Sequence, residues 1–188
     1  MRAYLAGPDI FLPEARQWAE RKKAICARHG LIGVSPLDQL PDQPSDWAAL
    51  PKWQRIALRN ERLIRSCDVM IANLTPFRGP SADVGTVYEA AFMRAIGRPV
   101  FGYATTASGF TQRILDFASG QGGTVTGTDG SLRDAQGMLI EQFGLFDNLM
   151  IEAGILASGG RLVVEEIAAE YRWTDLTVFE RCVLASLT

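Results

Sequence analysis

The sequence predicts an α/β fold: an open parallel sheet of about five strands flanked by helices. Three observations predict it. Short apolar runs alternate with longer segments of helical spacing. The run Val69-Met70-Ile71-Ala72 is continuously apolar, as a strand buried on both faces is. The runs give way to Gly, Pro or Asn turn chemistry at the pitch of strand–helix units. The 188 residues suit one domain, and 47% hydrophobic with 21% charged residues excludes wholesale disorder.

Taken in order, Arg2 to Ala6 is a first strand that opens at Gly7-Pro8. Pro13 suits a first helical position, with Glu14 in the first turn, where the helix dipole favours an acid. Ala15, Trp18, Ile25 and Cys26 recur at helical spacing, and Gly30 suits the stop. Leu31 to Val34 is a second strand, ended by Pro36. Residues 38–51 hold Asp38, Pro41, Asp42, Pro44, Ser45, Asp46 and Pro51, which is loop chemistry with Trp47 as its anchor. A helix runs from Lys52 to about Ser66 on an apolar stripe of Ile56, Leu63, Ile64 and Cys67. Asn60 places an amide on that stripe. Val69 to Ala72 is the central strand, Asn73 to Ala82 a loop, and a helix capped by Asp83 runs to Gly97. Pro99 to Tyr103 is a further strand. Phe110 to Ala118 is a short helix, Asp129-Gly130 a hairpin turn, and Asn148 to Ala157 helical again. Arg161 to Tyr171 and Asp175 to Leu187 complete the chain as helices broken around Trp173-Thr174. The expected organisation is a single domain over 1–188 with a C-terminal helical extension from about residue 158.

Composition excludes several functions. A net charge of −2 and a pI of about 5.5 lack the basic surplus of a nucleic-acid binder. No apolar run approaches the roughly 18 residues that span a bilayer. The opening eight residues lack a signal-peptide layout, and Cys26, Cys67 and Cys182 show no CxxC spacing. A cytoplasmic location, no disulfide framework and no metal are therefore expected. His29 is the only histidine, which removes most metal-hydrolase readings. Its place near a helix C-terminus suits a structural cation. Trp47 and Trp53 could line a base pocket, but loop anchoring is the simpler reading. The cysteines read as packing residues.

In an open parallel sheet, ligands bind beyond the C-terminal ends of the strands. Four segments leave strands there: Gly7-Pro8-Asp9, Pro36-Leu37-Asp38, Asn73 to Asp83, and Tyr103 onward. The third is the richest. Asp83 starts a helix, and Glu89 lies six residues on among Val87, Tyr88, Ala91 and Phe92. A carboxylate with such neighbours is partly desolvated. Each feature has a plainer explanation alone: Asp83 as N-cap, Glu89 as a paired surface residue, Thr75 to Pro80 as a rigid turn. Two carboxylates near one cleft suggest glycosidic-bond chemistry.

The chain resembles the nucleoside 2-deoxyribosyltransferase family. The resemblance rests on Tyr4-Leu5-Ala6-Gly7-Pro8, Cys67-Asp68-Val69-Met70-Ile71-Ala72-Asn73-Leu74, Asp83-x-Gly85-Thr86-x-x-Glu89 and Asp147-Asn148-Leu149-Met150. It spans residues 4–150 and implies a flavodoxin-like fold. It also implies exchange of the nucleobase of a 2′-deoxyribonucleoside for a free purine or pyrimidine base, without a cofactor, through a covalent deoxyribosyl–glutamate ester with net retention. By position, Glu89 matches the nucleophile, Asp83 the acid on the sugar-hydroxyl side, and Tyr4 the phenol that orients the nucleophile. Gly7, Pro8 and Asp38 fall on loops at the substrate edge. Phe77, Arg78 and Gly79 match the loop beside the base. Asn148 and Met150 match residues lent by a neighbouring subunit, which implies a homo-oligomer. Two departures stand out. Asn60 stands where some members carry an Asp assigned base contact or proton transfer, which leaves Asp38, Asp83 or a relayed water as proton donor. Ala90 stands where some have Gly. The alternatives are an N-glycoside hydrolase of deoxynucleosides or deoxynucleotides, and a non-catalytic nucleoside-binding module.

Overall fold

The computed structural model describes residues 1–188 except Pro41 and Gln43, so the loop reading at Pro41 lies outside the described residues. Five strands form one all-parallel sheet: β1 (Arg2–Ala6), β2 (Ile32–Val34), β3 (Val69–Asn73), β4 (Val100–Ala104) and, from the tail, a strand at Leu162–Val164. Their order is β2, β1, β3, β4 and the tail strand. The chain reverses its direction of travel between β1 and β3, so a crevice opens beyond their C-terminal ends. Register is set by side-chain alternation. Ala3 and Leu5 of β1, with Val69 and Ile71 of β3, face one core, while Tyr4, Ala6, Met70 and Ala72 face the other.

Helices cover both faces. α1 (Ala15–Arg28) packs on the first core, joined by the last helix at Thr177–Ala185, whose Val178, Phe179, Cys182 and Val183 are buried. On the second face lie α2 (Lys52–Arg65), α3 (Val84–Ala95), and, beyond α4 (Phe110–Ser119), α5 at Leu149–Ala157. A small antiparallel hairpin, β5 (Thr124–Thr126) with β6 (Leu132–Asp134), turns at Asp129-Gly130 as its sequence predicts. The tail strand and last helix are hereafter β7 and α6.

Three local readings change. Residues 161–171 are not a helix. Leu162–Val164 forms β7, pairing with Gly102 to Ala104 of β4, and Ala168 to Thr174 is turn. Three consecutive branched aliphatics give no period on which to tell a short buried strand from a helix. Pro13 is not the first helical residue. Glu14 caps α1 from the left-handed region at φ 58°, so the helix starts at Ala15. Ile56 is exposed, and the inward stripe of α2 is carried by Leu63, Ile64 and Cys67. Trp47 anchors its loop under Arg62, whereas Trp53 points to solvent. His29 ends α1 and bonds Glu180 of α6 at 2.7 Å, and all three cysteines are buried and free.

β7 is admitted by a close approach. A Cβ built on Gly160 would lie 1.8 Å from the Val100 carbonyl oxygen, whereas one on Gly159 meets open space but sits at φ +84°. Gly160→Ala is expected to cost about 3 kcal/mol or more, because backbone must move. Gly159→Ala should cost about 1–2 kcal/mol, for left-handed strain alone. Thermal melts check the order: the position-160 variant should melt about 6 °C or more below the parent.

Candidate active site

Tyr4 on β1 faces the second core with no exposed surface. Its hydroxyl donates to Glu89 Oε1 of α3 at 2.7 Å. Asn60 of α2 donates from Nδ2 to the same oxygen at 3.2 Å. A carboxylate can only accept, so this contact fixes which way the Asn60 amide points. Three elements thus converge on one oxygen, and Glu89 Oε2 accepts from no protein group among the described residues. Burial pushes the Glu89 carboxyl up to about 7; the Tyr4 and Asn60 hydrogen bonds oppose it, and the Asp83 charge adds to it. Burial, then the Glu89 charge, raises the Tyr4 phenol, so it remains protonated and donating.

Asp83 caps α3. Its Oδ2 accepts from Thr86 N at 2.9 Å and Thr86 Oγ1 at 3.0 Å. The loop before it is pinned from the far side by buried Asp147. Asp147 accepts from Ser81 Oγ at 2.5 Å, from Ala82 N at 3.0 Å and from Arg113 Nη2 at 3.2 Å. Arg113 also donates to the carbonyls of Pro80 and Phe146, each at 2.6 Å. Removal of either partner would leave a buried charge uncompensated. This pair is a positioning device that sequence spacing did not reveal, because the two residues lie 34 positions apart.

The crevice floor is built on Gly7. A Cβ there would lie 2.5 Å from Asp9 Oδ2 and 2.7 Å from Asn73 Cβ. Asn73 Nδ2 donates to Asp9, and buried Lys22 pairs with Asp9 Oδ2 at 2.7 Å while donating to Tyr103 Oη at 2.7 Å. Pro8 and Phe77 line a neighbouring cavity of about 290 Å³ with Phe11, Arg78 and Trp173. Phe77 stacks on Phe11 with centroids 5.5 Å apart and meets the edge of Trp173 at 6.0 Å, and Arg78 lies over both phenyl rings at positive φ. Gly79 occupies the turn closed by the Phe77 N–H to Ser81 carbonyl bond.

The structure therefore brings Tyr4, Asn60, Asp83 and Glu89 together and groups Pro8, Phe77 and Arg78 in an aromatic cluster. Asp38 is engaged elsewhere: Lys23 reaches it at 2.5 Å and it accepts from Ser35 N at 2.9 Å. Asn148 caps α5 through Met150 N and donates to Glu141 Oε1 at 2.6 Å. With exposed Met150 it lines an apolar cavity of about 510 Å³ shared with Val84, Val87, Ala91 and Ile151. At about 100° per residue, Val87 and Ala91 lie about 160° around α3 from Glu89. Asn148 and Met150 thus stand behind the helix that carries this chain's own Glu89.

Sequence reasoning missed Arg55 and Arg59, one turn apart on α2. Arg59 Nη2 donates to the Pro36 carbonyl at 2.7 Å, and the Nε atoms of both arginines are buried without a partner among the described residues. The signal was the i, i+4 arginine pair ending immediately before Asn60. Among the described residues no helix is long and apolar enough to cross a membrane, and no cluster of three or more metal-ligating side chains occurs.

Comparison with known proteins shows the family. The chain matches the family described as nucleoside 2-deoxyribosyltransferase over residues 3–150. It is 31% identical over 169 residues to an uncharacterized protein of Schizosaccharomyces pombe, covering 86% of this chain and 80% of the relative. Among solved structures it is similar to a 2-desoxiribosyltransferase from Leishmania mexicana. That match has a TM-score of 0.57 and 26% identity, and it covers 80% of this chain and 84% of the other. A conserved protein from Enterococcus faecalis V583 shares the fold at a TM-score of 0.53 and 20% identity, covering 88% and 91% of the two chains.

The Tyr4 contact makes a prediction independent of any substrate. Tyr4→Phe removes a bond that favours the ionised carboxylate, so Glu89 should titrate above its parent value of about 7. Carbon NMR of glutamate-labelled protein reads this directly. An unchanged or lower midpoint would mean that the phenol does not hold the carboxylate.

Proposed function

Because the chain belongs to the nucleoside 2-deoxyribosyltransferase family, we propose that it exchanges the nucleobase of 2′-deoxyribonucleosides through a covalent deoxyribosyl ester on Glu89. One observation carries this reading: a half-buried carboxylate is held through one oxygen by Tyr4 and Asn60, and its other oxygen is left free. Attack by Oε2 on C1′ forms the ester as the bond to the base breaks, and Tyr4 and Asn60 fix the direction of the lone pair. The incoming base then attacks C1′ from the vacated side and releases Glu89. Two inversions give net retention. The cation-like transition state forms beside a poorly hydrated carboxylate that needs no reorganisation. Asp83, with Oδ2 committed to Thr86, has Oδ1 available for a sugar hydroxyl. The Asp38 carboxylate is tied to Lys23 and Ser35, which argues against its serving as proton donor.

The apolar cavity behind α3 supports a homo-oligomer. Met150 and Val84 are exposed there, and their burial against a second copy would bring Asn148 and Met150 to that copy's crevice. The interface would also keep water from the ester, which separates exchange from hydrolysis.

The test is direct. Deoxyinosine incubated with adenine should yield deoxyadenosine, with little hypoxanthine when adenine is omitted. Equal release without an acceptor would indicate a hydrolase, and no reaction a binding module. Glu89→Ala should lose on the order of 10³-fold or more in kcat while remaining folded. In the parent, kcat/KM should fall as pH drops through about 7, because protonation removes the nucleophile. The stability sign is opposite. A raised carboxyl favours the fold below the unfolded value of 4.5, and that contribution is lost as pH rises through about 7. Glu89→Gln should therefore gain most in melting temperature over the parent above pH 7.

A second prediction concerns the shared site. A mixture of Glu89→Ala and Asn148→Ala proteins, each nearly inactive, should regain activity once subunits exchange. No recovery despite exchange shown by differently tagged chains would sink the lending of residues between subunits.

A further inference from the structure

α2 follows the connection of residues 35–51 from the C-terminal edge of β2, so its first two turns start on the crevice side of the sheet. Arg55 and Arg59 lie one turn apart there, and Asn60 follows at once. Arg59 reaches the Pro36 carbonyl, at the end of β2 beside β1, and its charge is felt at the Tyr4 phenol. The three residues share an unusual feature. Asn60 Oδ1, Arg55 Nε and Arg59 Nε are each buried without a hydrogen-bond partner among the described residues. Neither arginine pairs with a carboxylate among the described ion pairs. Buried polar atoms are rarely left unsatisfied, and such a group in a native site calls for an explanation. An unpartnered acceptor on Asn60 and an unpartnered Nε donor on the residue before it supply together the complement of an N–H next to a C=O.

From this placement we infer that Asn60 and Arg59, with Arg55 behind, read the lactam edge of the base. The preferred substrates are then deoxynucleosides of oxo bases, such as hypoxanthine, guanine, uracil or thymine. Asn60 Oδ1 accepts from the ring N–H, and the guanidinium donates to the exocyclic oxygen. An amino base presents a donor and an acceptor in the reversed order, which sets adenine N6–H₂ against a cation. The inference rests on the exchange reading above and adds the substrate class. It also supplies what an amide at position 60 cannot. As the C1′–N bond breaks and the Glu89–C1′ bond forms, the electron pair of the broken bond passes to the base and delocalises onto its exocyclic oxygen. The Arg59 charge stabilises it there without a proton transfer. The proton of the incoming base's ring nitrogen is lost to solvent in the second half-reaction.

The experiment compares deoxyinosine with deoxyadenosine as deoxyribosyl donors, using uracil as the common acceptor, for the parent and for Arg59→Gln. The parent should favour deoxyinosine by at least about tenfold in kcat/KM. Arg59→Gln should lose about 100-fold on deoxyinosine and far less on deoxyadenosine, so the preference disappears. Arg59→Lys, which keeps a charge and a donor, should restore part of the deoxyinosine rate. A parent that prefers deoxyadenosine, or a variant that slows on both donors alike, overturns the inference and leaves exchange chemistry standing. A parent that transfers from neither donor, nor from deoxyguanosine or thymidine, overturns the exchange reading and this inference together.

Discussion

The 2.7 Å hydrogen bond from the Tyr4 phenol to Glu89 is the constraint on which the site depends. It ties the central strand region to the helix that crosses the crevice, and it does so in a place that disfavours charge. A carboxylate beside apolar walls has lost much of its hydration, and only two neutral donors replace it. Neutral donors can hold an anion without neutralising it. A salt bridge at this point would instead have lowered the carboxyl and made it a weaker base. Tyr4 can serve because its own ionisation is suppressed by burial and by the facing carboxylate.

Such an arrangement requires rigid surroundings. Glu89 lies less than two turns into α3, so the aim of its carboxyl depends on how that helix starts. Asp83 sets the start by accepting both Thr86 groups. The Asp147–Arg113 pair holds the loop just before it, fastening Ser81, Ala82 and Pro80 to the segment that leads into α5. The back of α3 and its active face are therefore mechanically connected. A partner packed into the cavity lined by Met150 and Ile151 would press on the same helix that carries the carboxylate.

What could be read from the sequence follows from the range of each signal. The apolar run Val69–Ala72, the Asp83 cap and the Asp129-Gly130 turn are written in adjacent residues, and the structure keeps all three. The desolvation of Glu89 was legible because its helical neighbours are apolar. β7 was not, because Leu162–Val164 becomes a strand only through β4, some 60 residues earlier in the chain, and through a glycine that lets the two backbones touch. Asp38 looked available because it follows a strand at the ligand edge. Lys23, on α1, takes its carboxylate. α2 was half legible: the amide on its stripe was evident, whereas the arginines before it were missed, because their burial depends on contacts such as that of Arg59 with the Pro36 carbonyl.

Asn60 rather than an acid at that position changes the chemistry available to Glu89. An aspartate 3.2 Å from the same oxygen would place two carboxylates where one charge is already costly. The pair would share a proton, and Glu89 would be fully ionised only well above neutrality. The amide avoids that conflict. It donates to Glu89 from one end and presents an acceptor from the other, so the carboxyl is held near 7 without a second acid at hydrogen-bond distance. The same exchange removes a possible proton donor from position 60. On the exchange reading, a fixed positive charge could then stand in for that acid, and the nearest arginine on α2 is Arg59, one residue earlier, which donates to the Pro36 carbonyl.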